Sequence, residues 1–420
     1  MLGLQTKEQG EMMQMASSTI LIVDATNDMD QHGCQLLNVV GVDELNRGYP
    51  LAHCISSKMD ENTLKHFFAA IKERFPDMVI NCVITDDDPA LINAMNSGFQ
   101  ESLRHILCDW HFKRTLQKEL HSKVGVSDLE DVMFKELCVI IDCQTCSEFD
   151  KLLSAFMKKY KSEDFVAYFE TYCVPKQMKW AKCFRRFPHG NVETTMYVES
   201  LHNILKTFYL KRKPNKRVES LMNLLLQVEE DYFARRMTSI LIVAPREQQL
   251  KDISERHIRG MSILASDIKE YNENGSKYWA VKSSGSDEIS YNVLRSSNVC
   301  TRPDMCFFHC TSDECHENLC AHMYLCPDEE LLCKHIHKVH SMYNEPPLDP
   351  EPESVLDVEF HYRQPDCSVL STEETDILRH SCEKEQQELL GLVSKLKTRS
   401  DVSRQWLSQT GKNLSQKTLL

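Results

Sequence analysis

Residues 83–120, VITDDDPALINAMNSGFQESLRHILCDWHFKRTLQKEL, decide the fold because they alternate between short apolar strands and amphipathic helices. The first strand ends at Asp86, and Pro89 suits the first turn of the helix that follows. Apolar side chains at helical spacing mark the second helix. The stretch predicts a strand, a helix, a strand and a helix at Val79–Thr85, Asp88 onward, Arg104–Cys108 and Asp109–Leu120.

Three further strands precede this stretch. Ser18–Asp24, Gly33–Asp43 and Tyr49–Ser56 are apolar runs separated by turn residues, which predicts an antiparallel meander. Asp60 is placed to cap a helix that reaches about Arg74. The complete order matches that of an RNase H-like α/β fold with a mixed sheet. We expect this domain at 18–235, with a helical insertion at about 121–190.

Two acids stand where strands end. In an RNase H-like sheet the strands that carry Asp24 and Asp86 are adjacent and parallel, so the two carboxylates would lie side by side. Like charges this close repel unless cations neutralise them, and oxygen ligands suit Mg²⁺ or Mn²⁺. The alternative is that each aspartate only caps a strand or helix. A third acid should come from a later helix, with Glu193, Glu199 and Glu219 as candidates.

Four blocks of the sequence resemble the MULE transposase domain of Mutator-like elements. The stretch 83–120 resembles its I-T-D-x-x-x-A-L-x-x-A run followed by L-C-x-W-H. The other three blocks, in the family's order around it, are VDATND, GVDELNRGYPLAH and TTMYVESLHNILK. The similarity covers roughly 18–230.

The resemblance implies a DDE-type strand-transfer nuclease. Asp24, Asp86 and Glu199 would be its catalytic acids and Mg²⁺ (or Mn²⁺) ligands. The 113 residues from the second acid to the third (199 − 86) fit the helical insertion of such transposases. Cys108 and His111 match the family's Cys-x-x-His pair. They could bind zinc or form local hydrogen bonds, and the local role is favoured because only two ligands are visible.

A second chemical signal is a concentration of cysteine and histidine near the C-terminal end. Of 18 cysteines, seven lie between Cys300 and Cys333, and six histidines lie between His309 and His340. The N-terminus has no pattern of a secretory signal, so a reducing compartment is expected. Cysteine and histidine concentrated in this way indicate zinc binding. The alternative is a reduced, metal-free loop.

The segment LCKHIHKVHS, 332–341, resembles the end of a SWIM-type zinc finger, which commonly follows a MULE domain. The resemblance implies zinc ligands at Cys326, Cys333 and His335. A Cys-x-Cys pair is expected where only Cys326 is present. One ligand is therefore missing, or Cys320 or His322 replaces it.

One segment is strongly basic although the chain has a net charge of −13, which argues against non-specific nucleic-acid binding by the whole molecule. Residues 179–217 carry ten Lys or Arg against two Glu, with aromatic residues interleaved. Such a pattern suits phosphate contact and base stacking, whereas its simplest alternative is a solvated helical face. The predicted DNA contacts are Lys211, Arg212, Lys213, Lys216 and Arg217.

The remaining segments complete the predicted organisation. We expect an N-terminal remnant at 1–17, a connecting region at 236–299, the SWIM-like finger at 300–342, and an acidic linker with a C-terminal helix at 343–420. No run of about 18 apolar residues predicts a membrane span.

The leading hypothesis is a transposon-derived nuclear protein with an RNase H-like transposase core and a zinc finger. Its predicted partner is DNA, with neither a membrane nor a small-molecule substrate, and the sequence leaves a homo-oligomer open. One alternative is a domesticated, catalytically inactive DNA- or protein-binding regulator. It is favoured by a start close to the first catalytic strand, without the family's usual N-terminal DNA-binding module, and by the finger's departure from its pattern. Another alternative is a decayed reading frame, against which the intact acids argue.

Overall fold

A computed structural model describes most of the first 343 residues of the chain. The described residues are 1–343 without 28, 30–31, 44, 100–102, 188, 214–216, 242, 274–275, 284–285, 298–299, 301–305, 316–318 and 329–331. The predicted acidic linker and C-terminal helix lie outside them. Met1–Tyr232 and Ala244–Pro346 form one compact unit, and all packing discussed below is within it. The helical stretch Phe233–Val243 belongs to a second unit.

The first sheet has six strands and mixed direction, which confirms the predicted α/β class. Its strands are β1 Leu2–Leu4, β2 Leu21–Thr26, β3 Gln35–Val42, β4 Gly48–Ser56, β5 Val83–Thr85 and β6 His105–Leu107. Their order is β1-β4-β3-β2-β5-β6. The predicted meander is confirmed, since β2 pairs antiparallel with β3 and β3 with β4. Strands β5 and β6 continue the sheet in parallel with β2.

Helices cover both faces of this sheet because its central strands are apolar on both sides. The helices are α1 Lys7–Ser17, α2 Glu61–Arg74, α3 Pro89–Phe99, α9 Met196–Ile204 and α10 Val218–Leu241. Leu21 and Val23 of β2 pack in a core with α1, α2 and α3, whereas Ile20 and Ile22 pack in a second core with α9 and α10. This alternation follows from the two-residue period of a strand.

The predicted helix boundaries are set by local chemistry. Asp60 caps α2 by accepting a hydrogen bond from the Thr63 amide at 2.8 Å, and Pro89 is the first residue of α3. Gly98 lets the two helices approach closely, since a Cβ there would lie 2.5 Å from the Phe68 Cβ.

The N-terminal 17 residues differ from the predicted remnant. Strand β1 pairs antiparallel with β4, and Met12, Met13 and Ala16 of α1 are buried in the core. Thr6 begins α1 with a capping box that includes Gln9. This segment is therefore an integral part of the α/β domain.

The segment between β6 and α9 is mainly helical. Its helices are α4 Asp109–Lys123, α5 Ser127–Asp142, α6 Cys146–Lys159, α7 Asp164–Tyr172 and α8 Gln177–Trp180. They enclose a core centred on Trp180, which stacks on Phe112 and contacts Phe149 and Phe169. The insertion therefore has a hydrophobic core of its own.

The C-terminal part of the unit joins the predicted connecting region to the predicted finger. The elements of this part are α11 Val243–Met261, β7 Ile268–Glu273, β8 Ser276–Ser283, β9 Ser286–Arg295, β10 His309–Cys310, β11 Leu319–Cys320, β12 Tyr324–Leu325 and α12 Lys334–Tyr343. Strands β7, β8 and β9 form an antiparallel sheet, and β12, from the Cys/His segment at 300–340, adds an edge strand to it. The boundary predicted at residue 300 thus runs through one sheet. No helix in the described part of the chain is both long and apolar enough to span a membrane.

The buried face of α1 provides a test of its place in the domain. Met13 is fully buried, whereas its neighbour Gln14 is exposed. We expect Met13→Ala to lower the free energy of unfolding by about 2–5 kcal/mol, because it removes buried methylene groups and leaves a cavity. Gln14→Ala should change it by no more than about 0.5 kcal/mol. Urea unfolding measures both, and equal effects would contradict the packing described.

Candidate active site and metal centres

Asp24 and Asp86 lie at the same edge of the sheet. Leu21 pairs with Val83 and Ile22 with Ile84, so the parallel register brings Asp24 level with Asp86. Burial and the charge of Asp86 raise the pKa of Asp24 to about 7. Burial likewise raises the pKa of Asp86. The fold therefore holds two carboxylates in a site that opposes their charge.

Glu199 reaches the same site from helix α9. Thr195 Oγ1 donates a hydrogen bond to Glu199 Oε1 at 2.7 Å, and His111 Nδ1 lies 3.9 Å from the same oxygen. The charge of Glu199 also contributes to the raised pKa of Asp24. Asp86 and Glu199 thus both lie within electrostatic reach of Asp24.

Cys108 and His111 lie beside the acids and make local contacts. Thr195 Oγ1 is 3.2 Å from Cys108 Sγ and 3.3 Å from His111 Nδ1. Burial opposes ionisation of Cys108, but hydrogen bonds from His111 and Thr195 outweigh it and lower the pKa of the thiol. With Glu199 this pair also forms a group of three donors within 4.8 Å of one another that could hold a metal ion.

A series of contacting polar side chains leads from Gln9 of α1 to His202, which lies next to Asp24. His202 Nδ1 lies 3.7 Å from Asp24 Oδ2, and His202 Nε2 lies 2.8 Å from Asn38 Nδ2. Asn38 Oδ1 accepts from His53 Nδ1 at 2.5 Å, and His53 Nε2 lies 3.2 Å from Gln9 Nε2. Burial lowers the pKa of both histidines to about 4, so they are neutral near pH 7. The hydrogen bonds are mutually consistent when each donor is directed from Gln9 through His53 and Asn38 to His202.

The loop before α9 is held by one buried and one partly buried ion pair. Arg185 Nη2 donates to Asp109 Oδ1 at 2.6 Å, and Lys182 Nζ lies 2.6 Å from Glu193 Oε2. The Asp109 amide also donates to Glu193 O at 3.0 Å. These contacts fix the start of α4, which carries His111, against the segment that leads to Glu199.

The basic segment divides into internal and exposed parts. Lys182 and Arg185 serve the buried network, with only 2% of the Arg185 side chain exposed. Lys211, Arg212 and Lys213 are exposed, and the first two adopt positive φ angles of 50° and 59°. Arg217 is exposed and paired with Glu219 at 3.0 Å, while Lys216 lies outside the described residues.

Three separate groups of potential metal ligands involve the Cys/His segment, and two of these groups offer the four ligands of a tetrahedral site. The groups are His257, Cys310, Cys315 and His337; Cys300, Cys306, Cys320 and His322; and Cys326, Cys333 and His335. Each could hold a metal such as zinc. None of the described cysteines forms a disulfide.

This arrangement corrects the predicted ligand set. Cys320 and His322 do not complete the site of Cys326, Cys333 and His335, because they face Cys300 and Cys306 instead. Asp328 lies beside this group, with its Oδ2 3.2 Å from His335 Nδ1. Hydrogen bonding from Cys326 lowers the pKa of Cys333 to about 6, which favours the thiolate that a metal requires.

Two features of the candidate sites could not be predicted from the sequence: the place of His257, and the exposure of two aromatic residues in stretches that the sequence had already singled out. His257 lies 53 residues before Cys310, outside the predicted finger, and only the packing of α11 brings it close (310 − 257). Trp110 and Phe208 are large aromatic residues that are 48% and 64% exposed. Exposure of this size next to basic side chains is the signal of a contact surface, but a sequence shows no exposure.

Part of the chain is similar to a known protein family. The model of the MULE transposase domain matches residues 20–115. The match includes Asp24, Asp86, Cys108 and His111 and indicates a transposon-derived protein. It ends before Glu199 and before the Cys/His segment. No curated protein matches the chain.

The buried pair of Arg185 and Asp109 gives a prediction for stability. Removing one partner leaves an uncompensated buried charge, so Arg185→Met should lower the free energy of unfolding by about 3–5 kcal/mol. Changing both partners, with Arg185→Met and Asp109→Leu, should restore most of that loss. Denaturant unfolding of the single and double variants provides the cycle. Additive losses would show that the two groups are not coupled.

Proposed function

We propose that this chain is a transposon-derived DNA-processing protein whose acids Asp24, Asp86 and Glu199 bind divalent cations for phosphodiester cleavage and transfer. Two observations support the proposal: Asp24 and Asp86 lie level on neighbouring parallel strands, and the charges of Asp86 and Glu199 both contribute to the raised pKa of Asp24. Both aspartates have raised pKa values, the expected result when carboxylates are crowded in a buried site. An RNase H-like fold is proposed with it, on the strength of the strand order.

The donor set fits Mg²⁺ or Mn²⁺. All three groups offer carboxylate oxygens, and cations between them would relieve their repulsion. When bound, a pair of such ions supplies an activated nucleophile and stabilises the leaving oxygen. The chain's own part is to hold the carboxylates in place, with Thr195 orienting Glu199 and His202 backing Asp24.

DNA contact is proposed at two exposed places. Lys211, Arg212 and Lys213 form a basic turn that begins three residues after Phe208, whose ring is 64% exposed and could stack on a base. Trp110 directly precedes His111, which lies beside the acids. The Arg114 guanidinium lies 5.1 Å from the centre of the Trp110 ring. Aromatic and basic side chains together suit single-stranded or distorted DNA near a cleavage site.

A SWIM-like zinc site is proposed at Cys326, Cys333 and His335. The Nδ1 atom of His335 lies 4.0 Å from Cys326 Sγ and 3.6 Å from Cys333 Sγ. A tetrahedral zinc ion separates a sulfur ligand from a nitrogen ligand by about 3.6 Å. Asp328 is the proposed fourth ligand in place of the missing cysteine.

A second candidate function is a domesticated regulator that binds DNA without cutting it. It is favoured by the one cysteine that the finger lacks where the SWIM pattern has a pair. Both functions imply work on genomic DNA, so we propose a nuclear location. A homo-oligomer is compatible with either.

The metal site can be tested by thermal unfolding and by DNA cleavage. Mn²⁺ should raise the melting temperature of the wild-type chain, since a ligand of the folded state stabilises it. Asp24→Asn and Glu199→Gln should abolish most of that rise. The same variants should reduce Mn²⁺-dependent nicking of a supercoiled plasmid to background, because each replaces a negatively charged metal-binding carboxylate by a neutral amide.

Asp77→Asn is the matched control, since Asp77 is exposed and lies in the turn that leads towards β5. It should leave both the Mn²⁺ shift and the nicking unchanged. A wild-type chain that binds DNA but shows neither effect would favour the inactive regulator.

The basic turn can be tested by charge reversal. Lys211→Glu, Arg212→Glu and Lys213→Glu combined should weaken DNA binding and flatten its salt dependence, because fewer phosphate counterions are released. The matched control reverses three exposed lysines of the helical insertion, Lys151, Lys158 and Lys161. Fluorescence anisotropy over a range of salt concentrations measures both. Equal slopes for the two triple variants would mean that the turn is only a solvated face.

A further inference from the structure

One group of metal-type donors draws on three separate parts of the chain. We infer that His257, Cys310, Cys315 and His337 bind a structural zinc ion that joins helix α11 to the Cys/His segment. His257 comes from α11, the cysteines from β10 and the short turn after it, and His337 from α12. The site is separate from the SWIM-like group and does not depend on the proposed DNA chemistry.

The distances between the donors match those around tetrahedral zinc. With Zn–S of about 2.3 Å and Zn–N of about 2.0–2.1 Å, a sulfur and a nitrogen ligand lie about 3.6 Å apart. His257 Nδ1 lies 3.8 Å from Cys310 Sγ and 3.4 Å from Cys315 Sγ. His337 Nδ1 lies 3.5 Å from Cys315 Sγ. Both imidazoles thus present Nδ1 to Cys315 Sγ.

The surroundings suit a closed structural site. All four side chains are buried, so no open position remains for a substrate. Two thiolates would balance the two charges of zinc, which leaves a neutral buried group. The other nitrogen of His257, Nε2, lies 3.3 Å from Glu314 Oε2. A carboxylate on the far nitrogen is the usual partner of a zinc-bound histidine, since it fixes the tautomer and the ring orientation.

The backbone is also built for a close approach of the two helices that carry the histidines. Gly260, one turn after His257, faces α12. A Cβ at this position would lie 2.6 Å from Lys334 O and 2.9 Å from the His337 Cβ. Glycine thus allows α11 to cross α12 at the distance that brings His257 to His337, whose rings are 5.3 Å apart.

Zinc binding at this site would couple the helix to the finger. The core around it combines apolar side chains such as Trp279, Leu319 and Ile336 with six buried cysteines. Metal ligation then contributes folding energy that the apolar contacts do not supply. Loss of the ion should loosen α11 as well as the Cys/His segment, while β2 to β6 stay folded.

The test is zinc content of the purified full-length chain, measured by mass spectrometry of the metal. His257→Asn should lower it by about one ion per chain. His309→Asn, a histidine of β10 that belongs to none of the three groups, should lower it by none. His257→Cys should keep the wild-type content because it supplies another zinc ligand.

Hydrogen exchange of the wild-type chain gives a second readout if His257→Asn does not fold. A chelator should increase amide exchange in α11 and leave β2 to β6 protected. Unchanged zinc content in a folded His257→Asn chain would overturn the inference. Unchanged α11 exchange after zinc removal would overturn it too.

Discussion

The parallel pairing of β2 with β5 is the constraint on which the rest of the site depends. Asp24 lies in the last half of β2 and Asp86 directly follows β5, and the register places the two residues level with each other. The fold thus concentrates negative charge where a buried edge opposes it, and the raised pKa of Asp24 is the direct consequence. Helix α9 then brings Glu199 to the same place from a distant part of the chain. The proposed metal chemistry follows from this forced proximity, because cations are the simplest way to relieve it.

The architecture behind the acids explains why distant segments matter to them. The polar chain from Gln9 to His202 links α1 to Asp24 through the middle of the sheet. The ion pairs of Arg185 and Lys182 hold the loop before α9 in a similar way. Buried polar networks of this kind favour a single arrangement, since breaking a contact leaves an unpaired polar group. The site is therefore supported from both the N-terminal helix and the helical insertion.

Much of the fold could be predicted from the sequence, because its elements have strong local signals. Asp60 and Pro89 mark helix starts, and continuous apolar runs mark the central strands. The role of α1 could not be predicted, since its apolar residues are methionines in an otherwise polar stretch and their burial depends on β4. The grouping of the zinc-type ligands was hidden for the same reason. Spacing along the chain pairs Cys320 with Cys326, whereas packing separates them and brings in His257. Lys182 and Arg185 look like a contact surface until their buried partners are known.

The most direct test of the proposed site is anomalous diffraction from crystals of the full chain soaked in Mn²⁺. The account predicts two manganese peaks about 3.5–4 Å apart, bound by carboxylate oxygens of Asp24, Asp86 and Glu199. A map without manganese between these carboxylates would contradict it. So would a single ion held by Cys108, His111 and Glu199, because Glu199 would then belong to a different site.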